Sequence, residues 1–211
     1  MKAPGQMLQG WSVSGILTLQ GGLPWYPVDG TNDLTGTGEV NASVAGAQTW
    51  NYSGPRSAFT SGPYSIAFLT GSAANTTCLT AAQAPYAGNA QLMGLAAASL
   101  ANFGCYVQNG GILTPPAFGT VGNASRNLFR SPNYYNVDLS LSKLWKFKER
   151  YSAQFRVEFF NFFNRADFPV PSVFDPSKAQ FGCSCQTPDA ANPVLGSGGP
   201  RHVQFGLKLV F

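Results

Sequence analysis

Tyr134-Tyr135-Asn136-Val137-Asp138-Leu139-Ser140-Leu141-Ser142-Lys143-Leu144-Trp145-Lys146 is the stretch on which the fold class turns. Tyr135, Val137, Leu139 and Leu141 hold one parity, and Asn136, Asp138, Ser140 and Ser142 hold the other. Successive side chains of a strand leave on opposite faces, so this pattern predicts a long strand with one apolar and one polar face. Three further segments repeat it. In the first, Trp11, Val13, Leu17 and Leu19 alternate with Ser12, Ser14, Thr18 and Gln20, with Ile16 out of phase. In another, Tyr151, Ala153, Phe155, Val157 and Phe159 alternate with Ser152, Gln154, Arg156 and Glu158. The last sets Val203, Phe205, Leu207, Leu209 and Phe211 against Gln204, Gly206 and Lys208, with Val210 out of phase. The predicted strands are residues 9–20, 134–146, 151–163 and 201–211.

Alternation of this kind suits a soluble β-sandwich, which buries the apolar face, or a transmembrane barrel, which turns it to lipid. Length separates the two: soluble strands run about five or six residues, whereas a tilted strand needs roughly 9 to 11 to cross a bilayer. Aromatic residues stand near the segment ends, at Trp11, Trp25, Tyr26, Tyr134, Tyr135 and Trp145, where an interfacial girdle would place them. Only Phe147-Lys148-Glu149-Arg150 joins the second and third segments, while residues 21–132 and 164–200 intervene elsewhere. Outer-membrane barrels have short periplasmic turns and long external loops. If the chain ends in the periplasm, strand direction puts the short turn inside and both long connections outside. The expected fold is therefore all-β: a partial transmembrane β-barrel of four long antiparallel strands in meander order.

Composition agrees. Only 10% of the 211 residues are charged, against about 25% in an ordinary soluble domain. A net charge of +4, scattered along the chain, gives no support to nucleic acid as a partner. The longest mildly apolar run, Leu92 to Phe103, is too short for a membrane-spanning helix. Within the long external loop, residues 89–102 are expected to be helical. Tyr106 to Leu113 suggest a hairpin about Asn109-Gly110, a pair suited to a type I′ turn. The remainder of that loop is expected to be irregular. Met1 to Gln6 show no signal-peptide core, so the expectation is either a protein that stays inside the cell or a chain that begins in the middle of a longer one.

Arg126-Asn127-Leu128-Phe129-Arg130-Ser131-Pro132 and Asn136-Val137-Asp138-Leu139-Ser140-Leu141-Ser142-Lys143 resemble the RNxFRGP and NVDLSLxK blocks of Oar-like TonB-dependent receptors. Phe155 to Asn164 is similar to that family's FRxEFFNxFN, and Gly199-Pro200-Arg201 through Phe211 resembles its final strand. Ser131 stands where the family more often has Gly. The resemblance implies a 22-stranded barrel with an N-terminal plug, of which this chain supplies the C-terminal part. It further implies outer-membrane localisation in a Gram-negative bacterium and energised uptake of a scarce solute. The implied partners are outer-membrane lipid, the barrel-assembly machinery and, through the missing N-terminal part, the TonB complex. The fragment is expected to be inactive alone. The alternative is a secreted β-sandwich module that binds carbohydrate.

Candidate residues follow from these faces. Val203, Phe205, Leu207, Leu209 and Phe211 form an expected barrel-assembly signal, read by strand pairing at an open edge; the plain alternative is an ordinary final strand. Asp138, Arg156, Glu158 and Lys208 have lumen-facing parity and would line a solute path or simply solvate a polar interior. Lys143, Lys146, Lys148 and Arg150 suggest a solvated periplasmic turn. Trp25, Tyr26, Trp50 and Tyr52 are candidates for stacking on sugars. Four cysteines allow three pairings; Cys78 with Cys105 is preferred, with Cys183 and Cys185 as a possible local bridge. No metal site or cofactor is expected, since His202 is the only histidine. No enzyme activity is expected either: Asp167, Asp175 and Asp189 are dispersed, and the glycines at 196, 198 and 199 precede a strand, not a helix.

Overall fold

The computed structural model describes residues 3–38, 48–59, 68–69, 75–147, 150–187 and 198–211. In chain order these form α1 (Ala3–Leu8), β1 (Trp11–Gln20), β2 (Pro24–Trp25), β3 (Asn51–Ser53), β4 (Phe68–Leu69), α2 (Thr76–Gln83), α3 (Ala90–Phe103), β5 (Cys105–Gln108), β6 (Gly111–Thr114), β7 (Phe129–Arg130), β8 (Tyr134–Lys146), β9 (Ser152–Phe160) and β10 (His202–Val210). They group into two compact units. One holds residues 1–21, 133–168 and 186–211; the other holds 22–132 and 169–185.

The first unit is a four-stranded antiparallel sheet in the order β1-β8-β9-β10, a meander of the four alternating segments. Its register keeps parity across every strand. Val13 faces Leu141, which faces Val157, which faces Phe205. One position along, Ser14 faces Ser140, then Glu158, then Gln204. A slip of one residue would invert every side chain, so the aligned parities create one continuous apolar face and one polar face. The third and fourth strands are shorter than the alternation suggests. β9 stops at Phe160 because Asn161 turns into the left-handed region at φ 51°. Gly10, at φ 80°, marks the start of β1 in the same way.

The second unit corrects the expectation of an irregular external loop. The helix expected at 89–102 is α3, capped by the Asn89 side chain, which accepts from the Leu92 N–H. The expected hairpin is β5-β6, with Asn109 and Gly110 at φ 49° and 82°, both positive as a type I′ turn requires. It is extended by β3 and β4 into a sheet of order β3-β6-β5-β4. Helix α2, capped by Asn75, was not foreseen. These elements enclose a core of Trp25, Leu34, Trp50, Phe59, Tyr106, Leu113, Phe129 and Phe181. Phe181 comes from the second long connection, and the Tyr106 hydroxyl donates to the Pro176 carbonyl at 2.5 Å. The two connections expected at 21–132 and 164–200 are thus one folding unit over much of their length. Aromatic residues supply it with a large apolar payload per side chain, which offsets its Gly- and Pro-rich composition.

Candidate functional site

The sheet's apolar face is the most unusual surface of the molecule. Val13 is 72% exposed, Leu19 65%, Phe205 68% and Leu207 67%. The sandwich alternative needs these side chains packed between sheets, and they are not. At about 25 cal/mol per Å² of apolar area, leaving a whole strand face in water forfeits several kcal/mol. Lipid removes that cost. Ten residues of β1 at about 3.3 Å each span about 33 Å, or about 23 Å along the normal at a 45° tilt. This matches the roughly 25 Å apolar band of outer-membrane barrels.

The opposite face carries the charges assigned by parity. Arg156 and Glu158 lie two residues apart on β9 and pair at 3.2 Å. Lys208 faces Gln154 across the β9–β10 ladder. Among the described residues Asp138 is held by amides: its Oδ1 accepts from the Asn161 backbone N–H at 2.9 Å and from the Asn136 side-chain amide at 3.0 Å. The structure therefore divides the four residues into one ion pair, one amide-anchored carboxylate and one cation beside Gln154. Ile16 and Leu144 interrupt this face and are exposed on it.

Three of the blocks quoted above meet at Asn161. Its side-chain amide donates to the carbonyls of Arg165 and Gly199, each at 2.6 Å, and its Oδ1 accepts from the Arg165 N–H. The Arg201 N–H donates to Asn164 Oδ1 at 2.9 Å. Buried Asp167 accepts from the Tyr135 N–H at 3.2 Å and pairs with Arg165. This polar cluster closes the end of the sheet from which the second long connection leaves. Nothing in the one-dimensional pattern announces it, because Gly199 is 38 residues from Asn161.

Lys143 corrects another expectation. It has the parity of the apolar face and is 1% exposed, so it is no solvated turn residue. Its Nζ donates to the carbonyls of Met7 and Gln9 and lies 4.8 Å from the Trp11 ring centroid and 5.8 Å from that of Trp145. Trp11 Nε1 donates to the same Met7 carbonyl. Carbonyls and π-faces together satisfy an ammonium that an apolar face would otherwise expel. Lys146 ends β8, Arg150 is exposed, and Lys148 lies outside the described residues.

In the second unit, Cys78 is bonded to Cys105, and Cys183 to Cys185. The first bridge ties α2 to β5. Trp25 and Trp50 are 3% and 0% exposed and belong to the core, not to a stacking surface. Tyr26 and Tyr52 are half-buried. The Arg126–Pro132 block has a packing role: Phe129 is fully buried beside Trp25, with ring centroids 5.0 Å apart. Ser131 Oγ accepts from the Leu23 N–H at 2.8 Å, a bond that glycine at this position would lack. Burial, and then the Asp175 charge, raise the Tyr106 phenol above its ordinary value. Hydrogen bonds from Gln48 and from the backbone of Gly38, Gly36 and Thr37 lower the Asp33 carboxyl despite some desolvation. No group of metal-ligating side chains occurs among the described residues. Asp189 and Gly196, at neither of which a site is expected, lie outside them.

A family model described as outer membrane beta barrel domain matches residues 2–204. No curated protein and no solved structure matches the chain.

Proposed function

The chain belongs to the outer membrane beta barrel domain family and is a protein of the outer membrane, and from that premise we propose that it is the C-terminal barrel portion of a TonB-dependent receptor for energised uptake of a scarce solute. The observation that carries this reading is the exposed apolar face, aligned in register over all four strands. Support for the receptor class comes from the Arg126–Pro132, Asn136–Lys143 and Phe155–Asn164 blocks. A four-stranded sheet leaves β1 and β10 with unpaired edges, which lipid does not tolerate, and closure takes about eight strands or more. Uptake therefore belongs to the larger barrel, and these strands alone are inactive. In this reading the Gly22–Pro132 unit is extracellular, the lumen face carries Asp138, Arg156, Glu158 and Lys208, and TonB acts through a plug supplied elsewhere.

The test is genetic. Cells lacking the locus and cells lacking TonB should share a growth defect on the same limiting nutrient. A locus deletion that leaves uptake of every TonB-dependent nutrient intact would overturn the receptor assignment. A membrane-impermeant amine reagent on whole cells should also label Lys178 and spare Lys146; the reverse pattern would invert the topology.

A further inference from the structure

The second unit contains a cavity of about 670 Å³, within the range of small-molecule sites. Tyr26, Trp25 and Phe174 line it with rings, and Asn127, Asp175 and Lys178 line it with polar groups. Phe174 is 39% exposed and Tyr26 half-buried, so both rings offer surface to a ligand. The Asn127 amide and the Lys178 ammonium pair with no other side chain among the described residues. Asp175 is different. Its Oδ2 accepts from the Gly30 N–H and the Thr31 hydroxyl, and its Oδ1 from the N–H and hydroxyl of Ser177. It is a fixed wall, not a free acceptor.

These features select a ligand chemistry. The lining charges, Lys178 and Asp175, cancel. Asn127 and Lys178 are exposed and hydrated, so an apolar ligand that covered them would strip their water and return no acceptor. An anion would meet the Asp175 carboxylate, and a cation would meet Lys178. A molecule with apolar C–H faces for the rings and neutral acceptor oxygens for the donors satisfies every group.

We propose that this cavity binds a neutral saccharide of one to three rings. One C–H face packs on Phe174 and Tyr26, and hydroxyl oxygens accept from Asn127 and Lys178. This assignment does not depend on uptake or on TonB.

The experiment uses the full chain in lipid nanodiscs free of sugar detergents. Maltotriose, cellotriose and triacetylchitotriose are titrated by saturation-transfer NMR, with naphthalene-2-carboxylate as the charged aromatic rival. At least one trisaccharide should bind with a Kd tighter than about 1 mM, and Phe174→Ala and Asn127→Ala should each weaken it by about tenfold. Both positions are at the cavity, and an unchanged near-ultraviolet dichroism spectrum confirms the fold of each variant. The proposal is overturned if none of the three sugars binds at about 10 mM, if only the naphthoate binds, or if both folded variants bind as the parent does. Any of these leaves the outer-membrane assignment intact.

Discussion

Asn161 shows what a single side chain does at the end of this sheet. Its φ of 51° is a conformation that side chains with a Cβ adopt at a cost of about 1–2 kcal/mol, with Asn and Gly the usual exceptions. Its amide and carbonyl serve Arg165 and Gly199 at the same time. Asn161→Ala should therefore lose both the backbone preference and these hydrogen bonds, about 3 kcal/mol in all. Asn161→Gly should lose less, because it keeps the φ. Urea midpoints of the protein in lipid order the variants, and an alanine variant as stable as wild type would refute the account. Asp33 carries a pH dependence of definite sign. Its carboxyl is lowered by Gln48 first, then by the amides of Gly38, Gly36 and Thr37. The stabilisation is complete above the unfolded value of 3.8 and is lost as pH falls through the lower folded value. Exchange protection of the Gly36 and Gly38 amides should hold from neutral pH down to about 4 and then decline. Asp33→Asn should abolish that dependence; a variant with the same profile would assign it elsewhere.

At the scale of the element, legibility in the sequence depended on where each residue finds its partners. The four long strands were readable because period two is written into each of them, and lipid enforces it along a whole face. The β5-β6 hairpin was readable because Asn109-Gly110 suits both positive φ values. Helix α2 was not: Thr76 to Gln83 has no strong apolar stripe, and its place depends on the Cys78–Cys105 bridge. Nor was the burial of Lys143, since its carbonyl acceptors at Met7 and Gln9 lie more than 130 residues away in the chain. The charges of the polar face were legible as a face, but their partners were not. β10 is the element whose role is most open to test. It is an edge strand with every position exposed, and Phe211 beyond it is 93% exposed. An open edge with apolar side chains at every second position is suited to strand addition by the assembly machinery. Deleting Phe211 should lower the protein's outer-membrane level several-fold on immunoblots of membrane fractions. Unchanged levels would make β10 an ordinary final strand.

At the scale of the whole molecule, a charge content of 10% has two sources. The sheet gives one face to lipid, and the second unit is polar through Asn, Ser, Thr and backbone groups bonded to one another, as around Asp29 and Asp33. Each unit meets its own requirement differently. The second encloses its aromatic side chains in a core of its own, so water suits it. The sheet encloses little, and the outer edges of β1 and β10 have no partner strand among the described residues, so water suits neither its apolar face nor its edges. The chain expressed alone without detergent should therefore associate through the sheet while the second unit remains folded. Sedimentation velocity should show large, polydisperse species that detergent disperses. Hydrogen exchange should show protected amides in α3 and β5-β6 in both conditions. A monodisperse, cooperatively melting monomer in plain buffer would mean that the apolar face is covered by protein, and the lipid-facing assignment would fail with it.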